Sequence, residues 1–330
     1  MLCFAGVGPL LRLLGGLAGR VFWGIVHCSF AGLGIVNAMG SGGFGAAATL
    51  ELRCCVRVDF LEGVWEGWIE TRGVKREVDP LILQAVAKVI EEHFTIKVGG
   101  LRVKGFSEIP YAGGLKGSSA LINAILADLL ERLGIRVSVY ELALLGVEAA
   151  KKAKLTVTGA LDDHLAVSGC GGYATVNPHK IVYHDPSLQG WTGLLVRGER
   201  PIRSIEPYKF AVYRNMYRVA WRLAIAGHWW DAATVNGIAS LLAYSEPVEP
   251  LMKALSVAGI LGGGVSGKGP TIYIIGVKKK SIEEALDLLA EAYGGEKIVT
   301  RIVACQNTAH GLFPRNHIGY SQARKRIPGN

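Results

Sequence analysis

The sequence predicts an α+β fold in two domains, with strands and helices interleaved rather than alternating as regular βα units. Three observations carry that expectation. A chain of 330 residues, half of them hydrophobic, has room for two domains and a sizeable core. Runs with partial period-2 alternation, such as TLELRCCVRVDF, stand beside runs of helical period, such as ALINAILADLLERLG. Between a strand-like run and that helix lies a glycine- and serine-rich stretch, residues 110–120 (PYAGGLKGSSA), around which the chain is organised.

In chain order, residues 1–26 are apolar but interrupted by Arg12 and Arg20, so no unbroken run reaches the ~20 residues of a membrane span. Residues 1–22 read as an extension ahead of the folded body. Residues 32–48 (GLGIVNAMGSGGFGAAA) read as a small-residue turn between two β-like runs. Gly40, Gly42 and Gly45 satisfy GxGxxG there, but a strand pattern follows where a dinucleotide site needs a helix, which argues against that reading. GVWEGWIETRG reads as a strand completing a hairpin. Pro80 opens a helix where proline is tolerated, and TIKVGGLRVKGFSEI leads into residues 110–120.

Glycine permits positive φ and leaves no Cβ between backbone N–H groups and a ligand. Ser118 and Ser119 stand at the helix start, where a hydroxyl can cap free N–H groups, and that end of a helix attracts anions. The stretch is read as a phosphate cradle, against the plainer reading of a helix cap after a flexible turn.

Further on, Ser138 and Glu141 form a capping box. TVTGALDDHLAVSGCGGYATV then sets Asp162 beside Asp163; standing alone, adjacent acids read as a solvated helix start. From about residue 186 the texture changes to a strand, several helices and further strands, with Trp229 and Trp230 expected in the core of the second domain. Residues 262–269 (GGGVSGKG) nearly match a P-loop. The match fails because Gly269 replaces the Ser or Thr, a strand follows, and the preceding residues read as helical. A glycine loop in close approach to a ligand or backbone is expected instead.

Of the net charge of +9, five units lie in residues 301–330 and two in residues 1–22. The remaining +2 is ordinary for an enzyme handling phosphorylated substrates, and neither a nucleic-acid nor a membrane partner is expected. Residues 306–330 read as an aperiodic basic tail. The six cysteines show no CxxC pair or metal-finger spacing, so buried free thiols in a reducing cytoplasm are expected, with Cys54 and Cys55 on opposite strand faces. His27, His164 and His184 read as structural.

Three pieces in this order resemble the GHMP kinase superfamily: PxxxGL…SSA opening a helix, a G-x-x-D segment leading to a Gly-Gly strand, and a late SGxGP loop. The longer GGLKGSSA loop, with IVNAMGSGGFGAA, TVTGALDD, VNGIASLLAY and GVSGKGPTIY, resembles the archaeal type of shikimate kinase over roughly residues 23–290. The chain departs from that pattern at Leu161, where phenylalanine is common, at Cys170-Gly171, where a Gly-Gly pair aligns, and at Gly43, where lysine is frequent.

The resemblance implies a GHMP-kinase-like fold with a nucleotide cleft between an N-terminal β/α domain (residues 23–185) and a C-terminal α/β sandwich domain (residues 186–305). It implies that ATP phosphates are wrapped by Pro110, Tyr111, Ala112, Gly113, Gly114, Leu115, Lys116, Gly117, Ser118, Ser119 and Ala120, with Ser266, Gly267, Lys268 and Gly269 completing the site. Lys116 adds a point charge. Ser119, or Ser118, reaches Mg²⁺, with Glu148 a second candidate ligand. Asp162 or Asp163 accepts or orients the acceptor's proton. The implied activity is ATP-dependent phosphorylation of shikimate to shikimate 3-phosphate, in aromatic amino-acid biosynthesis. A homoserine- or mevalonate-type kinase is the alternative, and a nucleic-acid-binding protein the remote one. An arginine is expected for the acceptor's carboxylate, with Arg72, Arg197 and Arg203 as candidates.

Overall fold

The computed structural model describes residues 26–156, 159–198 and 206–305; the N-terminal extension, the basic tail, Cys3 and Arg203 lie outside them. Strands β1 (His27–Val36) and β2 (Phe44–Phe60) pair antiparallel around a short helix, α1 (Ala38–Ser41). The small-residue turn is therefore shorter than expected, because its flanks join the strands. The Asn37 side chain accepts the N–H groups of Met39 and Gly40 at the start of α1, and Gly42 ends it at φ 84°.

β3 (Trp65–Thr71) and β4 (Val74–Glu77) form a hairpin, after which α2 (Pro80–Phe94) crosses to β5 (Leu101–Ser107). The expected pairing of β3 with the preceding strand does not occur. β3 runs parallel to β5, and β5 lies between it and β2. The cause is α2, whose apolar residues Leu83, Val86 and Ile90 are buried, turning the connection into a crossover. Pro80 sits in its first turn, as expected.

Next come α3 (Gly117–Arg132), α4 (Val139–Lys152) with the expected Ser138–Glu141 capping box, and α5 (Leu161–Ser168). They are followed by β6 (Gly172–Val176), β7 (Lys180–Asp185) and β8 (Gly190–Val196). The C-terminal half supplies α6 (Pro207–Ala211), α7 (Arg214–Ile225), α8 (Trp229–Ala243) and α9 (Glu249–Leu255). It closes with β9 (Ile260–Val265), β10 (Ile272–Gly276), α10 (Lys279–Tyr293) and β11 (Glu296–Ile302).

The strands join in the order β4-β3-β5-β2-β11-β8-β10-β9, with β1 and β6 also on β2, and β7 on β6. β11 meets β2 through a single register pair, Ile302 opposite Leu50, so the sheet has two halves joined at a narrow seam. The larger core packs β1, β2 and β5 against α2, α3 and α4; Trp229 joins it fully buried, with Trp230 partly buried at its margin. A second core lies between β10 and α10.

The helix expected before the late loop is present as α9, but residues 260–265, whose glycines read as part of that loop, form a strand, so the loop is the turn of a β9–β10 hairpin. The glycines that obscured the strand are required by α8. A Cβ on Gly264 would lie 2.4 Å from the Ala233 carbonyl oxygen, and one on Gly262 would lie 2.5 Å from that of Trp230.

The free-thiol expectation is corrected for four cysteines. Cys28 is bonded to Cys55 and Cys170 to Cys305, leaving Cys54 buried and free among the described residues. Cys28 and Cys55 face each other across the β1–β2 ladder, a register that spacing alone does not reveal. Cys170 meets Cys305 because the Gly171 N–H donates to the Val303 carbonyl, holding the chain end against the turn before β6. Cys54 and Cys55 do face opposite ways.

Thiol titration of the denatured, unreduced protein should count Cys3 and Cys54, and all six cysteines after reduction. Six thiols without reduction would return the chain to the free-thiol state. Removing the Cys170–Cys305 bond, which spans 135 residues, should cost about 2–4 kcal/mol in denaturant titration.

Candidate active site

The cradle loop delivers α3 with its N-terminal N–H groups unobstructed. Ala112, Gly114 and Lys116 take positive φ, and Lys116 is the N-cap with no side-chain cap bond. The expectation that Ser118 or Ser119 caps the helix is not met. Both lie inside its first turn and line a cleft that opens to solvent. A helix start with free donors is an anion site.

Two neighbours hold the loop in place. The Gly32 N–H of β1 donates to the Leu115 carbonyl at 3.1 Å, and the Thr271 N–H donates to that of Gly113 at 3.3 Å. Ser266 Oγ accepts the Gly34 N–H at 3.0 Å and donates to the Gly114 carbonyl at 2.9 Å, locking strand, cradle and late loop together. Asn37 Nδ2 donates to the Gly267 carbonyl at 3.0 Å, and the Tyr244 hydroxyl donates to that of Lys268 at 2.5 Å.

The aspartates enter from α5. The Lys116 ammonium donates to Asp163 Oδ1 at 2.7 Å, with only 13% and 18% of the two side chains exposed. Asp162 is buried; its Oδ1 accepts from Asn177 Nδ2 at 2.8 Å and from the Thr175 hydroxyl at 3.3 Å. Its carboxylate fills the space beside Gly45, where a Cβ would lie 2.3 Å from Oδ1. Burial, then the charge of Asp163, pushes the Asp162 carboxyl above the usual carboxylate range, against Lys116 and Asn177. Burial would lower Lys116, but Asp163 and Asp162 outweigh it and raise that ammonium. Lys268 also lines the cleft; burial and the charge of Lys116 lower it, with Asp163 acting in the opposite sense.

The structure thus brings Lys116, Ser118, Ser119, Asp162, Asp163, Gly267 and Lys268 to one cleft. It does not bring Glu148 there. That carboxylate stands on α4, 2.7 Å from His93 Nε2, and is absent from the cleft lining. Tyr111 is exposed, with the Arg76 guanidinium over its ring. Among the arginines expected for a carboxylate, Arg72 pairs with Glu296, and Arg197 pairs with Glu246 at 2.6 Å and donates to the Pro270 carbonyl. His164 is not a base; it is buried, with Nδ1 2.7 Å from Asn123 Oδ1. His27 and His184 are structural as expected, bonded to Asp128 and to the Cys170 carbonyl.

Sequence reasoning missed Asn37, Thr175 and Asn177. Asn37 lines the cleft, and its position before a glycine-rich turn was the available signal for an N-cap. Thr175 and Asn177 reach Asp162 from β6 and the turn after it, and no local pattern marks them.

A family profile described as GHMP kinases N terminal domain matches residues 81–172. The chain is 33% identical over 278 residues to a shikimate kinase of Aeropyrum pernix, covering 83% of this chain and 97% of that protein. A shikimate kinase of Thermococcus kodakarensis is 33% identical, covering 76% of this chain and 91% of that protein. Among solved structures, L. major mevalonate kinase in complex with R-mevalonate superposes with TM-score 0.62 at 11% identity, covering 85% of this chain and 96% of that one. Homoserine kinase from Cytophaga hutchinsonii superposes with TM-score 0.61 at 14% identity, covering 88% and 98%. These structural likenesses carry the fold.

Gly114 has φ +83°, and a Cβ there would lie 2.5 Å from the Gly269 carbonyl oxygen, so Gly114→Ala should lower stability by about 1–3 kcal/mol. Gly117 differs: the nearest atom to an added Cβ is Ile109 Cγ2 at 3.7 Å. Gly117→Val should therefore stay folded while its side chain obstructs the anion site and raises the KM for ATP. Parental ATP kinetics in folded Gly117→Val protein would remove the cradle assignment.

Burial pushes the His164 pKa down to about 4, although the charge of Asp163 acts to raise it. The folded state therefore excludes a proton that the unfolded chain binds below about pH 6.5. This contribution to stability is present above pH ~6.5 and is lost as pH falls toward 4, an amplitude of about 3 kcal/mol. Asp162 acts in the opposite sense, so the measurement is the difference between parent and His164→Gln in denaturant titrations at pH 7 and pH 4. Equal acid-side losses in the two proteins would refute the buried neutral imidazole.

Proposed function

Since the chain belongs to the shikimate kinase family of the GHMP kinases, we propose that it transfers the γ-phosphoryl group of ATP to a ring hydroxyl of shikimate, forming shikimate 3-phosphate. The observation that carries this reading is the meeting of an uncapped helix start, two lysines and a pair of carboxylates, one buried and one half-buried, in one cleft. The cleft lies where residues 23–185 meet residues 186–305, taken as nucleotide domain and C-terminal domain.

Phosphoryl transfer demands in-line positioning and charge neutralisation. The first turn of α3 and the late loop receive the phosphates on backbone N–H groups, with Lys116 and Lys268 supplying positive charge. The two aspartates divide the remaining work. Asp163, bonded to Lys116, stands on the phosphate side. Asp162 stands against the start of β2, on the acceptor side, held through Oδ1 and more basic than an ordinary carboxylate. It orients the acceptor hydroxyl and takes its proton as the new O–P bond forms, while the bond from the γ-phosphorus to the β–γ bridging oxygen breaks and ADP departs with that electron pair.

Mg²⁺ supplies further charge neutralisation when the nucleotide is bound, and the Ser119 hydroxyl and Asp163 carboxylate would hold it. The donor set fits: the Ser119 hydroxyl and the Asp163 carboxylate both line the cleft, and Mg²⁺ needs one or two protein oxygens beside phosphate and water. Glu148, engaged by His93, has no part in this arrangement. No helix among the described residues is long and apolar enough to cross a membrane.

Purified protein with Mg-ATP should release ADP with shikimate and not with homoserine or mevalonate; turnover with either of the latter alone would move the reading to that acceptor. Asp162→Asn should lower kcat by about 10²–10⁴-fold with little change in the KM for ATP. Asp163→Asn should mainly raise the KM for ATP. In the parent, kcat should fall on the acid side with an apparent pKa above the usual carboxylate range, a property of the coupled pair. Parental kcat in Asp162→Asn would end its assignment as proton acceptor.

A further inference from the structure

Acceptor recognition needs a cation that neither Arg72 nor Arg197 is free to supply, because each already has a carboxylate partner. Resting on the shikimate reading above, we infer that Arg214 and Arg218 of α7 form the clamp that captures the acceptor's carboxylate. Both side chains converge on the turn at the end of α1. A Cβ on Gly42 would lie 3.9 Å from Arg218 Nη2 and 4.0 Å from Arg214 Nε.

The two arginines are prepared for an anion. α7 carries Arg214, Arg218 and Arg222 at successive four-residue steps and has no acidic residue. Among the described residues neither Arg214 nor Arg218 pairs with a carboxylate, and like charges brought to one turn repel until an anion lies between them. Arg218 is also oriented. Its Nε donates to the Ser41 carbonyl at 3.2 Å, and its guanidinium carbon is 5.9 Å from the Phe44 ring centroid. Capping of α1 accounts for that Nε bond and leaves the Nη edge for a planar carboxylate, which guanidinium groups grip bidentately. Arg214 has no such bond among the described residues.

Both arginines are exposed and stand outside the cleft lining, but the turn they meet leads directly to the reaction centre. Gly42 precedes Gly45 by three residues, and Gly45 is the residue against which Asp162 packs. An extended chain of that length spans at most about 10 Å, comparable to the reach of a six-membered ring with a hydroxyl at one end and a carboxylate at the other. The Gly43 N–Cα–C unit is linked to the same aspartate through Asn177, whose N–H donates to the Gly43 carbonyl and whose Nδ2 donates to Asp162. A Cβ on Gly43 would meet nothing within 4 Å, so space is open beside the arginines. Lysine is frequent at this position in the family the sequence resembles; here the positive charge at that corner comes from α7.

The test uses the full chain, steady-state kinetics with shikimate and Mg-ATP each varied, and shikimate methyl ester as the neutral acceptor. Arg214→Gln/Arg218→Gln should raise the KM for shikimate by about 10²-fold, leave the KM for ATP within about twofold, and turn over the ester as the parent does. A shikimate kcat/KM within threefold of the parent overturns the clamp. The parent alone gives a second reading that does not depend on the variant folding: it should prefer shikimate to the ester by at least about tenfold, and equal rates overturn the clamp. A parent active on shikimate with an unchanged double variant removes the clamp alone, whereas a parent inactive on shikimate removes the functional reading and the clamp with it.

Discussion

The ion pair between Lys116 and Asp163 is the contact on which the cleft depends. It joins the cradle loop to α5, two segments that both pack over Gly32 of β1, and does so with both side chains largely withdrawn from water. Such a pair balances a large desolvation cost against Coulomb attraction, and breaking it from one side typically costs about 3–5 kcal/mol because the remaining charge is stranded. The same pair tunes its neighbours. Asp163 raises Asp162 and Lys116 lowers it, while Lys116 also lowers Lys268. Four ionisable groups thus form one electrostatic unit, and the arrival of phosphate must be felt by all of them.

Backbone contacts give that unit a rigid setting. Ser266 fastens the late loop to β1 and to the cradle through one hydroxyl, used as both acceptor and donor. The approach is close enough that a Cβ on Gly34 would lie 2.5 Å from the Gly267 nitrogen. The far half of α3 is anchored by Asp128, a buried carboxylate that accepts from His27, Arg132 and the Val58 N–H. Burial would raise that carboxyl, but the bonds from His27 and Arg132 outweigh it and keep it ionised. The helix is therefore tied to β1 and β2 near its C-terminal end and presents its N-terminal end to the ligand.

The chemistry divides along β2. Its first residues border Asp162 and the α7 arginines, while the cradle and late loop line the cleft with Lys116, Gly267 and Lys268. This layout accords with an unusually plain segment, residues 42–48, in which Phe44 alone interrupts glycine and alanine. A side chain at Gly45 would occupy the space taken by Asp162.

What the sequence by itself determined is local or strongly periodic: the glycine-serine loop that opens α3, the Pro80 helix start, the Ser138 capping box, the adjacent Asp162 and Asp163, and the late glycine loop. Each is set by dihedral preference, capping chemistry or hydrophobic period within a few residues. The resemblance carried by those motifs was enough to anticipate the fold and the kinase class. Tertiary structure alone decided that β3 pairs with β5, that residues 260–265 are a strand, and which cysteines meet, because pairing partners are chosen by long-range register and helix cover. It also separated Asp162 from Asp163, which are equivalent in the chain but not in burial, and placed Glu148 outside the cleft. Thr175, Asn177 and the α7 arginines gain their roles from distance in space, and no spacing along the chain encodes a contact between residues that only the packed sheet brings together.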